Sequence, residues 1–276
     1  MIYQDRQLPV ALRARFTFGK TAVSTGLRLL RPLCLSTLAA LLLGGCAMNN
    51  TAASRPDYSA QTPTQASATI GQLEQRYRAN PNDKATVIAY AAALRTAGQP
   101  GQAVSVIEAA MAKNPDDTDL KVNYAKSLSA VGRYSQALTV ITDAIRPDAP
   151  SWDALLVKGA ILDQLGQHAA ARLTYSQAQL IAPNQPSIEA DIGLSYAMTN
   201  DLKSAEAHLR KAAAMPGATS KIRQNLALIV GLEGNFDEAQ RLFAAELPPD
   251  QVAANMAYIK NMLTQQNRWA AIKKSE

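Results

Sequence analysis

The chain has 276 residues and a formal net charge of +6. Residues 1–45 carry +5 of that charge, so residues 46–276 carry only +1. The basic balance therefore belongs to the N-terminal segment. The remaining chain has no basic patch interleaved with aromatic residues, which argues against nucleic-acid binding. The two cysteines are Cys34 and Cys46, so the sequence beyond them can form neither a disulfide nor a thiolate metal site.

Residues 1–45 are typical of a secretory signal. Arg28 and Arg31 precede an apolar run over 33–43, which is too short to span a bilayer and suits the core of a signal peptide. The run ends in Leu43-Gly44-Gly45-Cys46, which resembles a bacterial lipobox. That resemblance implies cleavage before Cys46 and a lipid anchor on this residue. The alternatives are a signal with a chance cysteine or a short buried helix. The stretch before Arg28 is longer than usual, which leaves the translation start open.

Residues 46–66 are rich in Ala, Ser, Thr, Asn, Gln and Pro, and we expect a flexible tether that reaches about 25 Å. Cys46 is followed by Ala47 rather than by an aspartate. In many Gram-negative lipoproteins this difference directs export to the outer membrane. The N-terminal region therefore predicts a protein anchored in the outer membrane through Cys46.

A period of 34 residues governs the chain after the tether. Residues 67–79 form a predicted capping half-unit, with Ile70, Leu73 and Tyr77 at helical spacing. The strictest column of the period is Ala103, Ala137, Ala171, Ala205 and Ala239. A glycine column holds Gly98, Gly132, Gly166 and Gly234 and is interrupted only by Asn200. Such a period predicts stacked copies of one small unit.

Each period has the pattern of two helices, as in residues 152–185. Leu155 and Leu162 mark the first helix, Gly166 ends it, and Tyr175 and Ala178 mark the second. The eighth position of every unit is small: Ala91, Ala125, Gly159, Gly193 and Ala227. The pattern resembles the tetratricopeptide repeat over about residues 84–250. It implies an all-α superhelix, or α-solenoid, of about five helix-turn-helix units with capping helices.

The end of the array is predicted to be a further capping helix. Asp250 is a candidate N-cap, and the helix would run to about Gln265. Its inner face would hold Val252, Met256, Ile259 and Met262. The predicted repeat domain is therefore 67–265, and residues 266–276 are a predicted C-terminal tail.

No constellation of residues in the sequence suggests catalysis, a cofactor or a metal. The chain has no His-Glu-x-x-His motif, no Gly-x-Ser-x-Gly elbow and no phosphate-binding glycine loop with a lysine. His168 and His208 are expected to be surface residues, and Asp116 and Asp117 to cap a helix. We therefore expect a protein without enzymatic activity.

The resemblance to tetratricopeptide repeats also implies a concave groove lined by the first helix of each unit. Most groove positions hold apolar residues, and only Lys126 is left of the basic residues with which some relatives clamp acidic tails. We therefore expect an apolar or amphipathic helical segment as the ligand. The alternative is that part of this ladder is buried between helices. The predicted groove residues are Ile88, Val122, Lys126, Leu156, Leu194, Met198, Leu228 and Leu232.

The last forty residues of the array carry a more specific resemblance. They include Asn225-Leu226-Ala227-Leu228 and Gly234-Asn235-Phe236-Asp237-Glu238-Ala239, followed by Leu247-Pro248-Pro249-Asp250. With the lipobox, this is similar to the TadD family of lipoproteins in tight-adherence (Flp-type) pilus systems. Departures are the long N-terminal extension and Glu246, where the repeat has alanine.

The family implies an outer-membrane lipoprotein that faces the periplasm and helps the pilus secretin to assemble or localise, as a pilotin-like factor. The second hypothesis is another envelope repeat lipoprotein, which assists outer-membrane protein insertion or cell-wall enzymes. The third, an enzyme or cofactor carrier, lacks any supporting site in the sequence.

Overall fold

The structure is a computed structural model that describes the backbone of residues 63–275 and the side chains of residues 67–265. The predicted signal, the lipobox cysteine Cys46 and most of the predicted tether lie outside the described residues.

Residues 63–275 form twelve α-helices, and no strand occurs among them. The all-α prediction is therefore confirmed. The helices are α1 (Pro63–Ala79), α2 (Lys84–Thr96), α3 (Pro100–Met111), α4 (Thr118–Ala130), α5 (Tyr134–Ala144), α6 (Trp152–Gln164), α7 (His168–Ile181), α8 (Pro186–Met198), α9 (Leu202–Ala214), α10 (Ser220–Leu232), α11 (Phe236–Ala244) and α12 (Pro249–Ser275).

Helices α2 to α11 form five successive pairs between a single N-terminal helix and a single C-terminal helix. Each helix packs against the one before and the one after it. The first helix of each pair also contacts the first helix of the next pair. This nearest-neighbour packing defines an α-solenoid, in which each unit buries its apolar face against the adjacent units.

The turn inside each pair has one recurring conformation. The four glycines of the predicted column have φ between 76° and 94°, and Asn200, which interrupts the column, has φ 61°. The residue after each of them donates its N–H to the carbonyl five residues earlier, as from Gln99 to Leu94 at 2.8 Å and from Asp201 to Tyr196 at 3.1 Å. This bond is that of a helix C-terminal Schellman motif. Asparagine tolerates the left-handed conformation better than most residues, so it can replace glycine here.

Small residues allow the two helices of a pair to approach closely. All five alanines of the strict column are fully buried. A Cβ atom added to Gly159 would lie 2.3 Å from Cε1 of Tyr175, and one added to Gly193 would lie 3.0 Å from the carbonyl oxygen of Ala205. The helix spacing therefore requires the small residues that the sequence places at these positions.

The buried core has three clusters along the array. The first extends from α1 to α6, a small middle cluster joins α6, α7 and α8, and the third extends from α8 to α12. The inner face predicted for the last helix is confirmed for Val252, Met256 and Ile259, which are buried, whereas Met262 is half-buried.

The ends of the array differ from the predicted boundaries. Helix α1 begins at Pro63, inside the predicted tether, and α12 continues to Ser275, where a tail was expected. Residues 266–275 contain neither proline nor glycine, so nothing in the sequence ends the helix earlier. Asp250 lies in the first turn of α12 and is not its N-cap, because the helix begins at Pro249. Proline is favoured at the first helical position. Asp117 is the predicted cap of α4, and its carboxylate accepts a hydrogen bond from the N–H of Leu120.

Candidate functional site

The eight predicted groove residues all lie on the first helices of the pairs, α2, α4, α6, α8 and α10. Val122 is buried, which agrees with the alternative that some of the predicted groove residues lie between helices. The other seven are half-buried. Ile88 and Leu156 pack against the first and middle core clusters. Leu228 and Leu232 pack against the third core cluster. The half-buried apolar residues predicted on α8 and α10 are Leu194, Met198, Leu228 and Leu232.

These four residues belong to two matching stripes, which we call the paired stripe. On α8 the stripe is Ser187, Asp191, Leu194 and Met198, spaced i, i+4, i+7 and i+11 along one helix face. On α10 the equivalent positions, 34 residues later, are Lys221, Asn225, Leu228 and Leu232. Lys221 is exposed and the other seven residues are half-buried. Helices α8 and α10 contact each other, and the two stripes occupy equivalent positions of neighbouring repeat units.

Asp191 is the one carboxylate of the paired stripe, and it was not among the predicted groove residues. Burial raises the pKa of Asp191 to about 7. The positive charge of Lys221 lowers this pKa, and the negative charge of Asp163 raises it further. Neither of its oxygens forms a hydrogen bond or an ion pair with residues 67–265. The predicted groove residues occupy the fifth, ninth and thirteenth positions of the units, whereas Asp191 occupies the sixth. The sixth position is one turn from both the second and the ninth, and that spacing could have revealed it.

Lys126, the only basic residue predicted in the groove, is already paired. Its ammonium group lies 3.2 Å from both carboxylate oxygens of Asp153 on α6. Asp153 is buried. The lysine therefore neutralises a buried carboxylate between adjacent units, and this does not favour the binding of an acidic tail.

A buried polar cluster links α6, α7 and α8, with the carboxylate of Asp163 at its centre. It accepts hydrogen bonds from the hydroxyls of Tyr175 at 3.0 Å and Ser195 at 2.9 Å, and Nδ1 of His168 lies 2.8 Å from it. Burial, with the negative charges of Asp191 and Asp163, raises the pKa of Tyr175. The expectation of a surface role for His168 is wrong, because its side chain is only 22% exposed. The 34-residue sequence pattern could not predict the contact between His168 and Asp163, because the residues of this cluster come from three different helices.

A second cluster joins α7, α8 and α9 around Glu189, whose side chain is 2% exposed. Gln179 donates to it at 2.5 Å and Lys211 at 3.1 Å, and Nδ1 of His208 lies 2.7 Å away. His208 also stacks on Tyr196, with ring centroids 5.3 Å apart. His208 is therefore a packing residue between helices and not an isolated surface group, which corrects the expectation for it.

The two clusters have the contacts expected of structural networks. The Ser195 hydroxyl donates to Asp163, and His168 contacts the same carboxylate oxygen, so the hydroxyl bonds to the carboxylate and not to a histidine that could activate it. Over residues 67–265, no group of three or more His, Cys, Asp or Glu side chains is placed to hold a metal ion. None of the helices in the described part of the chain has the length and hydropathy of a membrane span. In the described part of the chain, the paired stripe is where the ninth and thirteenth positions of a first helix both hold large apolar side chains.

Stacked helix pairs with small residues at their contacts define the class of the protein as an α-solenoid of helical repeats. Models of the tetratricopeptide repeat match residues 94–159 and 153–185. Residues 94–185 therefore carry tetratricopeptide repeats, and repeats of this kind suggest a scaffold for interactions between proteins. No curated protein sequence matches the chain.

Solved structures of low sequence identity share this fold. A thermophilic tetratricopeptide-repeat protein of Thermus thermophilus is 20% identical over 70% of this chain and 98% of its own, with a TM-score of 0.54. Human IFIT1, in a dimer with m7Gppp-AAAA, is 16% identical over 67% of this chain and 46% of its own, with a TM-score of 0.55. The APC/C hetero-tetramer Cut9–Hcn1 contains a chain that is 15% identical, with 75% of this chain and 40% of that one covered and a TM-score of 0.57.

The chain spans less than half the length of the second and third of these proteins. At these identities the likeness concerns the fold alone. Neither the family models nor these structures distinguish pilus lipoproteins from other repeat proteins, so that assignment stays a prediction.

Proposed function

We propose that the protein is a periplasm-facing scaffold of the bacterial outer membrane, which binds an amphipathic helical segment of a partner protein on the paired stripe. The observation that carries the proposal is the accessibility of Leu194, Met198, Leu228 and Leu232 on two adjacent helices. In the first three units the positions that correspond to Leu194 hold Ala92, Lys126 and Ala160, so those units offer less apolar surface there.

The chemistry of the paired stripe favours a helical ligand. Leu194 and Met198 are one turn apart on α8, as are Leu228 and Leu232 on α10, so together they offer two parallel apolar ridges. An amphipathic helix places side chains at i, i+3, i+4 and i+7 into such a surface. Methionine and leucine side chains adapt to different partners because they are flexible and apolar.

Support for the membrane anchor comes from the sequence. Leu43-Gly44-Gly45-Cys46 follows an apolar signal core, and Ala47 follows the cysteine. Several acyl chains would hold the protein stably at a membrane, where one would be marginal. The tether would then place the repeats near the inner surface of the outer membrane.

The partner class is supported by the resemblance of the last forty residues to the TadD lipoproteins. In this proposal the protein assists the assembly or localisation of the pilus secretin in a tight-adherence system. Glu246, which departs from the repeat pattern, forms a bidentate ion pair with Arg223 of α10. The ion pair explains how the fifth unit accepts a carboxylate at a position where the other units have alanine.

A pair of surface variants tests the binding surface. The double variant Leu194→Asp, Leu228→Asp should lose capture of the secretin in a pull-down and keep its thermal unfolding temperature within a few degrees. Leu180 on α7 is 86% exposed and lies outside the paired stripe, so Leu180→Asp is the matched control and should keep capture. Unfolding of the double variant, or equal loss of capture in the control, would contradict the assignment of the binding surface.

Deletion of the gene tests the cellular function. We expect the loss of surface pili and of secretin multimers, whereas normal levels of both would count against the role in pilus assembly. Substitution of Cys46 by serine should release the protein from the outer-membrane fraction.

A further inference from the structure

We propose that Asp191 accepts a lysine or arginine side chain of the bound segment, so that the paired stripe selects an apolar helix with one central basic residue. This inference rests on the proposed function. It adds a specificity that the apolar residues alone cannot supply, since they bind any helix of suitable shape.

The position of Asp191 places its carboxylate among the apolar contacts. It lies one turn before Leu194 on α8, and Asn225 occupies the equivalent position on α10. Its side chain is half-buried, so it is accessible to a ligand and partly shielded from water. A basic residue near the middle of a helix that packs against Leu194 and Leu228 would come within reach of it.

The absence of a partner distinguishes Asp191 from the buried carboxylates on the first helices. Asp153 pairs with Lys126, Asp163 accepts three contacts, and Glu189 accepts three. Asp191 forms no hydrogen bond or ion pair with residues 67–265. The attraction of Lys221 acts without a hydrogen bond or ion pair, and a partly buried carboxylate without such a contact is unfavourable. A cationic ligand would supply the missing partner, whereas an acidic ligand would be repelled.

The charged groups around Asp191 come from each helix packed against α8. Asp163 of α6 and Tyr175 of α7 interact electrostatically with it, and Lys221 of α10 is a cation that attracts it. On α9, His208 and Lys211 are engaged by Glu189. The net effect of burial and these groups is a pKa of about 7. Contact with a ligand cation would lower this pKa, so binding releases a proton and should weaken as the pH falls below 7.

The test uses synthetic amphipathic helical peptides with a leucine face and one central residue: lysine, glutamine or glutamate. Their affinities for the full chain would be measured by fluorescence anisotropy at pH 8. We expect the lysine peptide to bind about tenfold more tightly than the glutamine peptide, as for a modest charge-assisted contact, and the glutamate peptide to bind most weakly. At pH 5.5 the advantage of lysine should disappear.

The variant Asp191→Asn keeps the shape of the side chain and removes its charge. It should bind the lysine and glutamine peptides equally at both pH values. The double variant Asp191→Asn, Asn225→Asp moves the carboxylate to the neighbouring stripe and should restore part of the preference for lysine, which also controls for a loss of fold.

The outcomes separate the two proposals. If wild-type protein binds all three peptides equally, the role of Asp191 is refuted and the apolar binding surface stands. If no peptide binds at millimolar concentration, the helical-ligand function is refuted, and the role of Asp191 with it.

Discussion

Gly159 is the position where an added methyl group meets the most resistance. A Cβ atom there would lie 2.3 Å from Cε1, 2.6 Å from Cδ1 and 2.8 Å from Cζ of the Tyr175 ring. The ring cannot move aside freely, because Tyr175 is 2% exposed and its hydroxyl donates to Asp163 at 3.0 Å. We therefore expect Gly159→Ala to destabilise the array, although alanine is the better helix former.

The change in the free energy of unfolding follows from two destabilising contributions and one stabilising contribution. Overpacking a core costs about 1–3 kcal/mol, and displacing the tyrosine hydroxyl from its carboxylate costs about 1.5–3 kcal/mol. The helix propensity of alanine over glycine offsets about 1 kcal/mol. The net loss of about 1.5–5 kcal/mol would lower the Tm by roughly 3–20 °C for an array of this size.

Thermal unfolding followed by far-ultraviolet circular dichroism measures this shift. The matched control is Gly71→Ala in α1, where an added Cβ meets no atom within 4 Å. The control should leave the Tm unchanged or raise it slightly. A Tm of Gly159→Ala equal to or above that of the wild type would refute the close-packing argument for the small residues.

Three further predictions concern other features. Burial raises the pKa of Asp191 from the ordinary value of 3.8 to about 7 in the folded state. The folded state therefore binds the extra proton and loses stability as the pH rises from about 4 to 7. Asp191→Asn should raise the Tm at pH 8 and leave it nearly unchanged at pH 4. Asn200 has φ 61°, so Asn200→Gly should leave the free energy of unfolding unchanged or raise it. Asn200→Val should lower that free energy by about 1–2 kcal/mol, as measured by chemical unfolding. An equal effect of both substitutions would contradict the role of the turn. Asp163→Ala leaves the hydroxyls of Tyr175 and Ser195 without their acceptor. It should lower the free energy of unfolding by about 3 kcal/mol or more. A variant as stable as the wild type would show that water replaces the carboxylate.

The sequence predicted the helices and their pairing because the period records local requirements. A left-handed turn needs glycine or asparagine, and a close helix contact needs alanine or glycine, so Gly98 and Ala103 recur in every unit in recognisable form. Asn200 looked like an interruption of the glycine column, yet it adopts the same conformation. The period therefore contained more structural information than residue identity alone suggested.

The polar contacts could not be predicted from the same period, because each occurs in one place. The acceptor of Ser195 is 32 residues away, and Glu189 bonds to residues 10, 19 and 22 positions away. Of the proposed binding surface, the sequence predicted the apolar positions of α8 and α10 and did not predict Asp191. Asp191 occupies the sixth position of its unit, whereas the sequence comparison covered the fifth, ninth and thirteenth positions. That its carboxylate has no hydrogen bond or ion pair is visible only when the neighbouring helices are in place.

The cluster around Asp163 has a consequence for the order of the units. Turns and small residues are shared by all five, so in those respects one unit could be exchanged for another. The contact between the third and fourth units is different, since it needs an aspartate at the end of α6, a tyrosine in α7 and a serine in α8. A shuffled or duplicated array would separate these groups from their partners. The protein is thus modular in its backbone and has a fixed sequence order at its centre, where only one neighbour completes the hydrogen bonds.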